Sequence, residues 1–131
     1  MPDAVLVSWN VAGRLRRLPE QAERVGGLAP DIVCLQEVIA SAVTPWSERL
    51  AGAGLSHLLI AEPSADGARG RPLLTLVAAR CRQQLVAVDA VPWPERVLAT
   101  RLAGLEVVNV HSPISPKPGL AKVLTHEAVQ A

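Results

Sequence analysis

Three short apolar runs in this 131-residue chain each end on a side chain that can hold a metal ion or a phosphate. They are Val5-Leu6-Val7-Ser8-Trp9-Asn10, Asp31-Ile32-Val33-Cys34-Leu35-Gln36-Glu37-Val38 and Val107-Val108-Asn109-Val110-His111-Ser112-Pro113. Glu37 places a carboxylate at the carboxyl end of a buried strand, where open α/β sheets bind ligands. One such oxygen suits Mg²⁺, which takes few protein ligands and keeps several waters. Asn10 brings an amide that can orient a phosphate or a metal-bound water, although Asn is also a common turn residue at strand ends. His111 brings an imidazole able to protonate a leaving oxygen or hold a phosphoryl oxygen. Each residue alone reads as readily as a structural strand terminus. Together, three strand ends bearing Asn, Glu and His are what metal-assisted phosphodiester hydrolysis needs.

Those side chains need elements to position them. The density of Val and Leu over residues 4–9 predicts a strand buried on both faces, ended by Gly13. Leu18, Ala22, Val25 and Leu28 fall on one helical stripe, with Glu20, Glu23 and Arg24 outside it. Gly26-Gly27 weakens that helix and Pro30 forbids its continuation. Residues 31–38 read as a second buried strand. Thr44-Pro45 reads as a helix start, with Thr44 as N-cap and Pro45 at the first helical position. Trp46, Leu50 and Ala53 line that helix, and Gly54 ends it.

Residues 56–61 read as a third strand, and the polar stretch from Pro63 to Arg71 as a loop. Leu73–Ala79, Gln84–Val91 and Arg96–Leu102 read as further strands. The last of these joins a strand over Leu105–Val110 through a tight turn at Ala103-Gly104. A proline-rich stretch from Ser112 to Gly119 follows, then a final helix over Leu120–Val129. The order β-α-β-α-β followed by antiparallel strands predicts an α/β fold, a mixed β-sheet with helices on one face. The length suits one domain over residues 1–131.

Composition narrows the function. Half the residues are hydrophobic, enough for a core built from Leu, Val, Ile and Ala, with three Trp and no Tyr or Phe. No tyrosine hydroxyl is available for catalysis. A net charge of +1 gives no global case for nucleic-acid binding. Only local clusters, Arg14, Arg16 and Arg17 or Arg69 and Arg71, could carry one. Cys34 and Cys81 match no metal spacing and no CxxC pattern, and read as buried free thiols in a reducing, cytoplasmic setting. No segment reads as a signal peptide, and no apolar run approaches the ~20 residues of a membrane helix.

Trp9-Asn10, Leu35-Gln36-Glu37 and Asn109-Val110-His111-Ser112-Pro113 resemble the first motifs of the endonuclease/exonuclease/phosphatase (DNase I-like) superfamily. Pro94-Glu95-Arg96-Val97-Leu98 and Lys117-Pro118-Gly119-Leu120-Ala121-Lys122-Val123 resemble a bacterial branch of it. The resemblance spans nearly the whole chain, and Leu-Gln-Glu is its most specific part. It implies a four-layer α/β sandwich of two sheets with helices outside. It implies Glu37 as ligand of Mg²⁺ (or Mn²⁺), with Asn10 beside it positioning metal and phosphate. His111 then contacts the scissile phosphate or acts as the acid. Asn109 and Arg69 are candidate substrate contacts.

Superfamily members are longer, and their second half carries Gly-Asp-x-Asn and Ser-Asp-His motifs that this sequence lacks. After His111 the only acidic residue is Glu127, and the only later histidine is His126. The resemblance is therefore to an N-terminal half. It implies weak metal binding, little or no catalysis by this chain alone, and one sheet face left bare. Two readings follow. One is a truncated Mg²⁺-dependent phosphodiesterase or nuclease domain acting on a phosphodiester, nucleic acid among the candidates. The other is a non-catalytic half-domain that binds a partner, a separate C-terminal half or a second copy of itself through the bare face.

Overall fold

A computed structural model of the chain describes residues 3–62, 73–89, 91 and 93–111. The polar loop from Pro63 to Arg71, the proline-rich stretch and the helix expected at Leu120–Val129 lie outside these residues. Among the described residues, seven strands and two helices run in the order β1 (Leu6–Asn10), α1 (Leu18–Gly27), β2 (Ile32–Ile39), α2 (Val43–Gly52), β3 (His57–Ile60), β4 (Leu73–Ala79), β5 (Gln84–Val86), β6 (Val97–Leu102) and β7 (Leu105–Val110). Single turns of 3-10 helix precede α2 (Ala40–Ala42) and β6 (Pro94–Arg96).

The strands form two sheets. The first has the order β1-β2-β4-β3 and the second the order β5-β6-β7. β1 and β2 are parallel, joined through α1, whereas β4 is antiparallel to both β2 and β3. The mixed sheet expected from the sequence is therefore present, with both helices on one face. Val25, Leu50 and a fully buried Trp46 pack there on Val33, Leu35, Val38 and Leu76.

The opposite face of the first sheet is not bare. Ile32, Cys34, Val77 and Ala79 pack on Leu98 and Leu102 of the second sheet, with Val107 at the margin. The alternation of side chains along each strand makes this possible, since Val33 and Leu35 point to the helices while Ile32 and Cys34 point to the second sheet. Among the described residues, a hollow of about 320 Å³ opens between the edge strands, lined by Leu6, Ser8, Cys34, Gln36, Val107, Val108, Asn109 and Val110.

Several local expectations shift. β1 is an edge strand, with Leu6, Ser8 and Asn10 exposed, so it is not buried on both faces. α2 starts at Val43 behind Ala42, with no side-chain cap, so Thr44 lies inside the first turn. Pro45 is still tolerated there, because first-turn amides have no partner within the helix. β5 is only three residues long, the stretch that finds partners on β6. Cys34 is buried as expected, Cys81 only partly, and both thiols are free. β4 and β7 fall on their expected bounds. The β6–β7 turn has positive φ at both Ala103 (46°) and Gly104 (78°), the requirement of a two-residue type I′ hairpin. Among the described residues no helix is long and apolar enough to cross a membrane.

Candidate active site

Glu37 lies within β2, not at its end, because the strand continues to Ile39. The β2–β4 register slips there: Leu35 faces Leu76, and the next pair is Val38 with Leu74. Two residues of β2, Gln36 and Glu37, thus oppose Thr75 alone, which is a β-bulge. Glu37 occupies the left-handed region at φ 57°, unusual for a residue with a Cβ. A regular strand would send Glu37 toward the helices, in the direction of Leu35. Gln36 faces the second sheet as Cys34 does, and the extra residue turns Glu37 to that side as well and returns Val38 to the helix-side core. The loop after β1 follows the bulge: Val11 N–H donates to the Gln36 carbonyl (3.0 Å) and Gly13 N–H to that of Glu37 (2.8 Å).

Asn109 of β7 reaches the sheet beside the bulge. Its Nδ2 donates to the carbonyls of Leu35 (3.1 Å) and Leu76 (2.9 Å). Its Oδ1 accepts from Gln36 Nε2 (2.7 Å), which also donates to Ser8 Oγ (3.0 Å). Asn109 is 3% exposed, so every polar atom of its amide is engaged inside the protein. A buried polar network with all members satisfied fixes one docking of the sheets. It sets the height of β7 and therefore the position of His111, two residues on.

His111 continues the hairpin by one step, donating its backbone N–H to the Arg96 carbonyl (2.9 Å). Its Nε2 is 3.8 Å from Glu37 Oε1, and both side chains are mostly buried, at 15% and 18% exposure. That separation is too long for a direct hydrogen bond. On the other side of the ring, Nδ1 lies 3.4 Å from Arg96 Nη1. Burial pulls the His111 pKa below 6.5; the Glu37 charge opposes this and the Arg96 charge adds to it. The imidazole is therefore neutral at pH 7, and its contact with Glu37 is not a charge pair there. Among the described residues no Lys or Arg lies within ion-pair distance of Glu37.

The structure thus brings Glu37 and His111 together from different sheets. Asn10 lies at the end of β1 beside Gln36 of β2. Its Oδ1 accepts from the Ala12 N–H (2.9 Å), a local turn, and no hydrogen bond joins it to Glu37 or His111. Together with Arg14, Arg17, Arg24 and Gln21 it rims a separate surface hollow of about 270 Å³. Arg69 and Arg71 lie outside the described residues. Sequence reasoning assigned no role to Gln36 or Arg96. For Gln36 the signal was present, because Leu35 and Val38 are both apolar with two polar residues between, which breaks strict alternation. For Arg96 there was none, since its proximity to His111 arises from pairing across the hairpin.

The donor chemistry suits a hard cation only in part. Glu37 offers a carboxylate with no cationic partner among the described residues, a fit for Mg²⁺ or Mn²⁺. Among those residues no group of three or more His, Cys, Asp or Glu could hold a metal. Glu37 would be a single protein ligand, with water and phosphate oxygens completing the shell.

No protein-family model matches the chain, and no curated protein matches it. Solved structures do. An AP endonuclease from Archaeoglobus fulgidus aligns over 82% of this chain and 40% of its own, at 21% identity and a TM-score of 0.62. An endonuclease/exonuclease/phosphatase from Beutenbergia cavernae aligns over 97% of this chain and 41% of its own, at 17% identity and a TM-score of 0.61. The chain shares the α/β fold of the matching part of these two structures. TDP2 from Caenorhabditis elegans is similar as well, at 23% identity and a TM-score of 0.52, over 88% of this chain and 37% of its own. The chain spans about two fifths of the length of these structures.

Proposed function

We propose that this chain carries part of a metal-dependent phosphodiesterase or nuclease site centred on Glu37 and His111. The observation that carries the reading is the bulge at Glu37, which holds a carboxylate 3.8 Å from the imidazole of His111 across two sheets. The superfamily fold supports it, as does the motif resemblance at Asn10, Leu35-Gln36-Glu37 and His111. Glu37 would hold Mg²⁺ or Mn²⁺, which supplies charge stabilisation to a phosphoryl oxygen. His111, neutral at pH 7, presents Nε2 to the phosphate as a hydrogen-bond donor, and acid catalysis at the leaving oxygen would need its protonated form at lower pH. Asn10 would contribute only as the resemblance implies, since its Oδ1 is engaged by the Ala12 N–H and makes no hydrogen bond with Glu37 or His111. Asn109 is engaged between the sheets, so its contribution is to hold His111 in place. The substrate is a phosphodiester, with nucleic acid one candidate, as the similar AP endonuclease suggests.

The described residues hold only some of the groups such a reaction needs, because no second acid or base joins Glu37 and His111. With the described residues alone, hydrolysis would be very weak or absent. The test has two arms. Titration of a dinucleotide phosphodiester in the presence of Mg²⁺ should move the ring resonances of His111, and Glu37→Gln should abolish this. Hydrolysis of a chromogenic phosphodiester with Mg²⁺ should not exceed that of Glu37→Gln. No movement at His111 contradicts the site; brisk Glu37-dependent hydrolysis contradicts the partial complement of groups.

A second reading is that the chain binds a partner, or a second copy, along the edges of β1 and β7. The hollow there is rimmed by exposed Leu6, Val108 and Val110, each 37–46% exposed. Strand edges without a partner among the described residues, flanked by apolar side chains, are sites for added strands. Light scattering after size-exclusion chromatography tests self-association. A monomer unaffected by Leu6→Lys or Val108→Lys would count against the homodimer.

A further inference from the structure

The imidazole of His111 is gripped from the side away from Glu37. Arg96 Nη1 lies 3.4 Å from Nδ1, and the Arg96 carbonyl accepts the backbone N–H of His111 at 2.9 Å. The guanidinium is itself held, stacked over the Trp93 ring at 5.5 Å, an attraction of cation to ring face. The 3-10 turn fixes the main chain beneath it, with Arg96 N–H donating to the Trp93 carbonyl at 3.0 Å. Arginine has donors and no acceptor, and it keeps its charge at all working pH values. A ring nitrogen facing it must therefore offer a lone pair.

We infer that Arg96 is a positioning residue, which holds His111 as the Nε2–H tautomer with that proton directed to the Glu37 side. At pH 8, above the ordinary range of an imidazole, the ring has one proton to place, and the bond made by one nitrogen decides the state of the other. With Nδ1 committed as acceptor, Nε2 carries the hydrogen. The reverse tautomer would point Nδ1–H at a cation and a lone pair at the Glu37 carboxylate, two repulsions at once. The functional consequence rests on the phosphodiesterase reading: a phosphoryl oxygen beside Glu37 would meet a donor, not a lone pair. Arg96 does this without touching the substrate itself.

The experiment reads the tautomer directly. The whole chain is labelled with ¹⁵N, and long-range ¹H–¹⁵N spectra of its imidazoles are taken at pH 8, with His111 assigned by its loss in His111→Gln. Wild type should show a protonated Nε2 and an unprotonated Nδ1 in one tautomer. Arg96→Met, which keeps the length and removes the donor, should give a mixture of tautomers. Arg96→Lys, which restores a cationic donor, should recover the single form. A wild-type His111 protonated at Nδ1 overturns the inference whether or not the variants fold. So does an Arg96→Met spectrum identical to wild type. Neither outcome depends on metal or substrate, so a site that ignores Mg²⁺ refutes the functional reading and leaves the tautomer result standing.

Discussion

Replacing Glu37 by glycine should make the protein more stable while removing the site. Glu37 sits at φ 57°, where a Cβ crowds the neighbouring carbonyl at a cost of about 1–2 kcal/mol. Glycine takes that conformation freely but is more disordered in the unfolded chain, which returns roughly 0.5–1 kcal/mol of the gain. The carboxylate offsets little, because its one charged or titratable contact among the described residues is 3.8 Å from a ring that is neutral at pH 7. The main-chain bond from Gly13 N–H to the residue-37 carbonyl survives the substitution. A net gain of about 0.5–1 kcal/mol remains, which for a domain of this size raises Tm by roughly 2–5 °C. The assay is urea unfolding of wild type, Glu37→Gly, Glu37→Ala and Glu37→Gln at pH 7.5. The last two keep the strain and should show no gain. A Glu37→Gly protein less stable than Glu37→Ala would refute the reasoning, since residue 37 would then not be held in a strained bulge.

Three further outcomes follow from the same geometry. Asn109→Ala should lose roughly 2–4 kcal/mol in urea unfolding, because it strands the Leu35 and Leu76 carbonyls and the Gln36 amide in a buried site. His111 has a folded pKa below the 6.5 of the unfolded chain, so the unfolded state takes the proton first as pH falls. Stability from this group is complete above pH 6.5 and declines between 6.5 and the lowered folded value; the urea midpoint of His111→Asn should be flatter over that interval. Burial pushes the Cys34 thiol up to about 11, so alkylation at pH 8 should label Cys81 and spare Cys34 until the protein is unfolded.

What the sequence made legible was local and periodic. β4 and β7 are visible because uninterrupted apolar or alternating runs end at clear punctuation, for β7 the Ala103-Gly104 turn. α1 is visible because Leu18, Ala22 and Val25 share one stripe, and all three are buried. Pairing was less legible. The run from Gln84 to Val91 has strand composition throughout, yet only Gln84–Val86 meets β6, and no pattern within a strand names its partner. For the same reason the second sheet was not foreseen as the cover for Ile32, Cys34, Val77 and Ala79. In the site, Glu37 and His111 could be named from residue type and motif. Their proximity depends on a bulge and on a hydrogen-bonded amide contributed 73 residues away from Gln36, both of which belong to the folded chain. Arg96 was hidden for a related reason, since its side chain reaches His111 only across the β6–β7 hairpin.

The central claim, that the Glu37 bulge and His111 form a cation and phosphate site, can be tested by paramagnetic Mn²⁺. Added in small amounts to the ¹⁵N-labelled chain, it should broaden amide resonances around residues 36–38 and 111 before others, and Glu37→Gln should remove that effect. Broadening centred elsewhere, at Asp31 or Glu106 for example, or unchanged in Glu37→Gln, would contradict the account.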